Sequence, residues 1–199
     1  MTGDLIPAKV LATHTIANVS ETLAEKLGLP PQYRSIGIIT ADSDDVTYCA
    51  LDEATKAAAV EVVYGRSLYA GATNASTKLA GEVIGILAGP NPAEVQSGLR
   101  ACAEFMDSGV GFRSANEDDS IIYFAHTVSR TGTYLSKTAH VREGEALAYL
   151  IAPPLEAVVG LDEALKASDV ELAALFEPPS ETNFGGGLLT GTQSACNAA

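Results

Sequence analysis

The sequence predicts an α+β fold built twice. Two observations carry that reading: the chain repeats itself, and within each copy short β-branched runs alternate with helical patterns. Leu51-Asp-Glu-Ala-Thr-Lys-Ala-Ala-Ala-Val-Glu-Val-Val63 returns as Leu161-Asp-Glu-Ala-Leu-Lys-Ala-Ser-Asp-Val-Glu-Leu-Ala173, with eight of thirteen positions identical. His14-Thr15-Ile16 recurs as His126-Thr127-Val128, Leu23 answers to Leu135, and Gly85-Ile-Leu-Ala-Gly89 answers to Gly187-Leu-Leu-Thr-Gly191. Landmarks kept in order imply two homologous units in tandem. Each is roughly 100 residues, far longer than a solenoid repeat and large enough for its own core. The division falls at residues 1–112 and 113–199.

The elements follow in order. Residues 8–18 and 35–41 are β-branched runs bounded by turn residues, with a short helix over 20–27 between them. Residues 45–50 read as another strand, followed by a helix with Asp52 near its start and a strand over 60–68. Residues 71–78 form a polar loop of Gly, Asn, Ser and Thr, and 82–87 a buried strand. The next helix is the clearest: Asn91 is a good N-cap, Pro92 suits the first helical position, and Glu94 suits a capping-box-like turn. Val95, Leu99, Cys102 and Met106 make one apolar face, and Gly109 ends it. The second unit repeats this course with a strand over 121–129, a helix over 134–140, a strand over 146–152, a helix over 154–166, and strands near Val170 and Leu188. Eight residues follow Gly191, against a whole helix after Gly89, so the last helix is expected to be short and its sheet less covered. Each unit is expected to place its helices on one face of its sheet.

Composition excludes several function classes. The chain is 47% hydrophobic and 19% charged, which is the composition of a folded protein. Twelve basic residues against 25 acidic ones give a net charge of −13, which repels a nucleic-acid backbone. No apolar run reaches the roughly 20 residues of a membrane span, and the start has no basic flank with an apolar core, so no secretory signal is expected. Three cysteines, Cys49, Cys102 and Cys196, have no metal or redox spacing and read as buried, reduced packing residues.

Several stretches together resemble a known family. They are residues 41–48 (Ala-Asp-Ser-Asp-Asp-Val-Thr-Tyr), 52–56 (Asp-Glu-Ala-Thr-Lys), 61–71 (Glu-Val-Val-Tyr-Gly-Arg-Ser-Leu-Tyr-Ala-Gly), 87–94 (Leu-Ala-Gly-Pro-Asn-Pro-Ala-Glu), 128–132 (Val-Ser-Arg-Thr-Gly), 152–156 (Ala-Pro-Pro-Leu-Glu) and 178–183 (Pro-Pro-Ser-Glu-Thr-Asn). In that order they are similar to the L-type shell proteins of the ethanolamine-utilization bacterial microcompartment, and the resemblance spans nearly the whole chain. It implies two tandem ferredoxin-like units, the circularly permuted microcompartment (BMC) domain. These would assemble as a homotrimer shaped like a hexagonal tile, in the shell of a compartment in the bacterial cytoplasm, beside other shell proteins. It also implies pores for small metabolites and no enzymatic activity. Family members continue past the position of Ala199 with the rest of a C-terminal helix.

The residues themselves leave the chemistry open. Asp42, Asp44 and Asp45 make the densest polar point of the first unit; such carboxylates converge on a cation or simply cap a solvated turn. Glu82 lies in an apolar strand and must face solvent, a pore or a cation, because burying an unpartnered carboxylate is costly. Residues 178–183 fit either turn chemistry or a ligand contact. By resemblance, Asp44, Asp45, Glu82, the backbone of Phe112, and Glu181, Thr182 and Asn183 match ethanolamine-contacting positions around small channels. The carboxylates would hold the ammonium. His126 with Glu156 is the candidate for a divalent metal, zinc, which the resemblance links to the state of the pore; a packed strand histidine, mirrored by His14, is the alternative. No cofactor is required. The glycine-rich segments 71–76 and 185–187 are the candidates for mobility beside a gated central opening. An enzyme using Asp44, Asp45 and Glu82 as acid and base lacks any nucleophile elbow, phosphate loop or metal-spaced cluster, and a soluble amine-binding sensor would be a monomer or dimer.

Overall fold

The structure is a computed structural model and describes residues 1–67, 80–177 and 183–199. In chain order the elements are β1 (Leu5–Pro7), β2 (Val10–Ile16), α1 (Glu21–Lys26), β3 (Ser35–Ser43), α2 (Asp44–Ala57), β4 (Glu61–Ser67), β5 (Ala80–Gly89) and α3 (Pro92–Asp107). There follow β6 (Gly111–Ser114), β7 (Ile122–Val128), α4 (Thr133–Ala139), β8 (Ala146–Ala152), α5 (Pro154–Ala167), β9 (Val170–Phe176), β10 (Gly185–Gly191) and α6 (Gln193–Ala198). Two antiparallel sheets result. The first has the order β2-β3-β5-β4 and the second β1-β6-β7-β8-β10-β9.

The repeat is visible in the pairing. His14 faces Ile38 and Ile38 faces Ile86 in the first sheet, as His126 faces Tyr149 and Tyr149 faces Leu188 in the second. Two short strands were missed in the sequence. β1 and β6 pair with each other and add residues 5–7 and 111–114 to the edge of the second sheet, so the start of the chain crosses to the later unit. Three- and four-residue strands carry too few alternations for period two to show.

Residues 45–50 are not a strand. They belong to α2, which runs unbroken from Asp44 to Ala57, so Asp52 lies in its middle. Val46, Thr47 and Tyr48 favour strands, but Cys49 and Ala50 follow Val46 by three and four, Ala54 follows Ala50 by four, and all are buried on one helical face. Burial in a core overrides local preference. α3 matches its expectation: Asn91 accepts from the Glu94 N–H at 3.0 Å, and Val95, Leu99, Cys102 and Met106 are buried. The carboxylate of Glu94 does not turn back on its own helix; it accepts from the Ala59 N–H at 2.8 Å and ties α3 to the end of α2.

The main core is shared between the units. Ile39, Val83 and Leu87 of the first sheet pack with Leu51, Ala54, Val95 and Leu99 of α2 and α3, and the same cluster continues to Phe124, Leu147, Tyr149, Ile151 and Leu188 of the second sheet. The expectation of helices on one face alone is corrected on the first sheet. Its opposite face carries a satellite core of Ile36, Ile86 and Ala88 under Val19 and Ala24 at α1, because β3 alternates and Ile36 and Ile38 point away from Ile39. α5 and α6 cover the far face of the second sheet through Leu161, Ala164, Leu189 and Cys196. The stretch 185–187 was expected to be mobile and is instead the start of β10, buried and paired with both β8 and β9. A Cβ on Gly186 would come 1.9 Å from the Leu150 carbonyl oxygen, so glycine serves close strand packing there. The segment 71–76 lies outside the described residues.

Candidate functional site

The site begins with the helix that sequence reading had split. Ser43 ends β3 and leads into α2, so Asp44 and Asp45 occupy the first helical turn rather than a loop. Both are buried. Asp44 Oδ1 accepts from the Asp45 N–H at 2.9 Å, and the positive end of a 14-residue helix favours negative charge there. Asp45 reaches across to the second unit, where the Tyr149 hydroxyl donates to its Oδ1 at 2.7 Å. Burial, then the neighbouring Asp45 charge, pushes the Asp44 carboxyl well above the usual carboxylate range. Burial and the same carboxylate push the Tyr149 phenol up, so it stays a neutral donor.

A cavity of about 300 Å³ opens beside this pair. Asp44, Asp45 and Tyr48 of α2 line it together with Tyr134, Tyr149 and Phe176 of the second unit, so its lining combines carboxylates with aromatic rings. The rings of Tyr48 and Tyr134 lie 6.2 Å apart, and those of Tyr149 and Phe176 6.0 Å apart. Two crowded carboxylates favour one proton between them, or one cation. Aromatic faces add to the attraction for a cation.

The remaining expected residues divide. Glu82 is half-buried in β5, and its carbonyl accepts from the Ser67 hydroxyl at 3.4 Å. Ser67 also bonds to the Asp44 carboxyl, so Glu82 is one residue removed from the acid pair without lining the cavity. Phe112 is fully buried in β6, packed on Phe124 and Phe184 at ring separations of 5.5 and 5.9 Å. Asn183 stands just before β10 and does not line the cavity either. Glu181 and Thr182 lie outside the described residues.

The fold does not bring His126 and Glu156 together. His126 points toward the shared core, its ring 5.7 Å from Phe105 and 5.8 Å from Phe124, and burial lowers its pKa. Glu156 sits in the first turn of α5 on the opposite face of that sheet. Among the described residues no three His, Cys, Asp or Glu side chains gather as a metal-ligand set. These residues do not fit a zinc site, and the packed-histidine alternative is what the geometry supports. The cysteines are free and buried, with Cys102 pushed up to about 12 by desolvation, so they are unreactive packing thiols.

Sequence reading missed the role of a buried carboxylate in this region. Asp52 is fully buried and accepts from the Gly132 N–H at 2.7 Å and the Leu135 N–H at 2.8 Å, capping α4 of the other unit, while Lys56 Nζ lies 3.4 Å away. α4 has no side-chain cap of its own, so Asp52 supplies one. The signal was there in Asp52 and Asp162 occupying the same repeat position.

Comparison with known proteins identifies the family. Residues 35–115 match the BMC domain family. The chain is 70% identical to the bacterial microcompartment shell protein EutL of Clostridium perfringens, over all of this chain and 92% of that one. The chain belongs to the EutL family of microcompartment shell proteins. The crystal structure of ethanolamine utilization protein EutL from Leptotrichia buccalis superposes with a TM-score of 0.94 at 68% identity, covering 100% of this chain and 91% of that chain. A trimeric microcompartment shell protein, PduB, gives 0.78 at 22% identity over 94% and 82% of the two chains, a likeness of fold. EutL-family proteins are constituents of the compartment shell rather than enzymes, and this chain is a shell protein of the ethanolamine-utilization microcompartment. No helix among the described residues is long and apolar enough to cross a membrane.

Proposed function

We propose that the chain forms a homotrimeric tile of the shell and that the acid pair at the start of α2 receives protonated ethanolamine on its way through. The observation that carries this is the buried pair Asp44 and Asp45, held at a helix N-terminus beside a cavity of about 300 Å³. Ethanolamine is small, carries one positive charge, and ends in a hydroxyl. Its ammonium neutralises one excess negative charge at the pair, and its hydroxyl suits the polar groups nearby, with Glu82 one residue from the site through Ser67. The net charge of −13 raises the local concentration of such cations. A second, central opening lies where three chains meet, its state set by loops.

Calorimetric titration of the full chain with ethanolammonium chloride tests this reading. The expected result is one site per chain, with an affinity that falls as the pH is lowered and the Asp44 carboxyl takes up its proton. Asp44→Asn combined with Asp45→Asn is expected to weaken binding by at least tenfold. An unchanged affinity in that double variant, or no heat at millimolar ethanolamine, would overturn the assignment.

A further inference from the structure

The cavity beside the acid pair is larger, and more aromatic, than a small amine needs. Protonated ethanolamine takes the space of roughly three waters, on the order of 90 Å³ at about 30 Å³ each, and so fills less than half of the cavity's 300 Å³. The lining includes aromatic rings from separate elements: Tyr48 of α2, Tyr134 of α4, Tyr149 of β8 and Phe176 of β9. They come as two tilted pairs, Tyr48 with Tyr134 at an interplanar angle of 52° and Tyr149 with Phe176 at 51°. Tyr149 is buried and its hydroxyl is given to Asp45 Oδ1, so what it offers the cavity is its ring. The other three are half-buried.

Packing alone does not ask for these residues, and the repeat supplies the comparison. Tyr48 corresponds to Val158 and Tyr134 to Thr22, while Asp44 and Asp45 correspond to Pro154 and Leu155. Tyr149 corresponds to Ile38, each paired with the histidine of the preceding strand of its sheet. Small or aliphatic side chains therefore serve the equivalent positions of the fold, whereas the phenol rings and the carboxylates occur together at one set of positions. The first sheet also makes room for them. A Cβ on Gly65 of β4 would come 2.6 Å from the Tyr134 hydroxyl oxygen, so glycine there leaves that ring its place.

We propose that this cavity takes N-methylated amino-alcohol cations, with choline as the fully methylated member, more tightly than it takes ethanolammonium. The inference rests on the reading of the acid pair as a cation site and names the wider class of ligand that the site serves. A quaternary ammonium donates no strong hydrogen bond to water, so it gives up less than a primary one on entering a partly dry cavity. Its methyl groups carry the positive charge to the faces of aromatic rings, whose attraction for a cation strengthens as water is excluded. The carboxylates supply the opposite charge. The added methyls occupy roughly the volume that ethanolammonium leaves to water. A primary ammonium draws chiefly on the carboxylates through hydrogen bonds, so the two ligands part when the rings are changed.

Calorimetric titration of the full chain with choline chloride, with ethanolammonium chloride, and with dimethylbutanol, the neutral alcohol in which a carbon replaces the nitrogen of choline, tests this. Choline is expected to bind once per chain, at least threefold more tightly than ethanolammonium, and to displace it; the neutral alcohol is expected to bind at least tenfold more weakly than choline. Tyr48→Leu keeps apolar bulk without the ring and is expected to lower the ratio of choline to ethanolammonium affinity at least fivefold, whereas Tyr48→Phe is expected to hold that ratio within twofold. The wild-type comparison with the neutral alcohol decides the matter should Tyr48→Leu fail to fold. Ethanolammonium binding without choline binding, a neutral alcohol that binds as tightly as choline, or a ratio unmoved in folded Tyr48→Leu overturns the inference and leaves the ethanolamine reading standing. Choline binding without ethanolammonium binding supports the aromatic site and overturns the ethanolamine reading. No heat with either cation overturns both.

Discussion

Asp44 is nearly out of water beside a second carboxylate, and its proton is held more tightly in the folded chain than in the unfolded one, where a free carboxyl has its ordinary value. Between those two pKa values the native state binds more protons than the unfolded state, so stability falls as pH rises through that interval. Removing the titration removes the slope. Asp44→Asn is expected to unfold at a higher temperature than the wild type at neutral pH, by several degrees, and to show a flatter dependence of the midpoint on pH above about 4. Midpoints measured from pH 4 to 8 check this, and a variant less stable than the wild type at pH 7 would contradict it. Added ethanolammonium should narrow the difference, because a bound cation stabilises the ionised pair. The acid pair was legible in the sequence as the densest polar point of the first unit, but its role was not. A run of Asp, Ser and Asp looks like a turn until the burial of Val46, Cys49 and Ala50 shows that the following residues are helical. Tyr149 gave no signal of its own, because its partner lies 104 residues away.

At the scale of elements, α2 is the piece on which the two units depend. It fills the first sheet with Leu51 and Ala54, presents Asp45 to Tyr149, and holds α4 through Asp52. Asp52→Ala leaves two buried N–H groups without acceptors and is expected to cost about 3 kcal/mol, since each unsatisfied buried donor costs roughly 1–3 kcal/mol. Urea unfolding of the variant measures it, and a loss below about 1 kcal/mol would show that water or a neighbour satisfies those groups. Long elements with regular spacing were legible: α3, β8 and α5 stand within a residue or two of expectation. The boundary of α2, the strands β1 and β6, and the burial of Gly185–Gly187 were not. These are fixed by contacts distant in sequence rather than by local pattern: β1 pairs with β6 more than 100 residues on, and Gly185–Gly187 are buried between β8 and β9.

For the whole molecule, the repeat was the strongest signal in the sequence, and the fold keeps it in two sheets with matching registers. What the repeat could not convey is that one helix pair serves both sheets, because a shared core is a property of how the units meet. Outside that shared core, Leu155, Val158 and Val159 of α5 and Leu23 of α1 stay exposed. The tile proposed above would hold three such chains and so six lobes. Electron microscopy of the purified full chain tests this most directly. The account predicts flat particles of six-lobed outline and threefold symmetry containing three chains; a field of single two-lobed molecules at every protein concentration would contradict it.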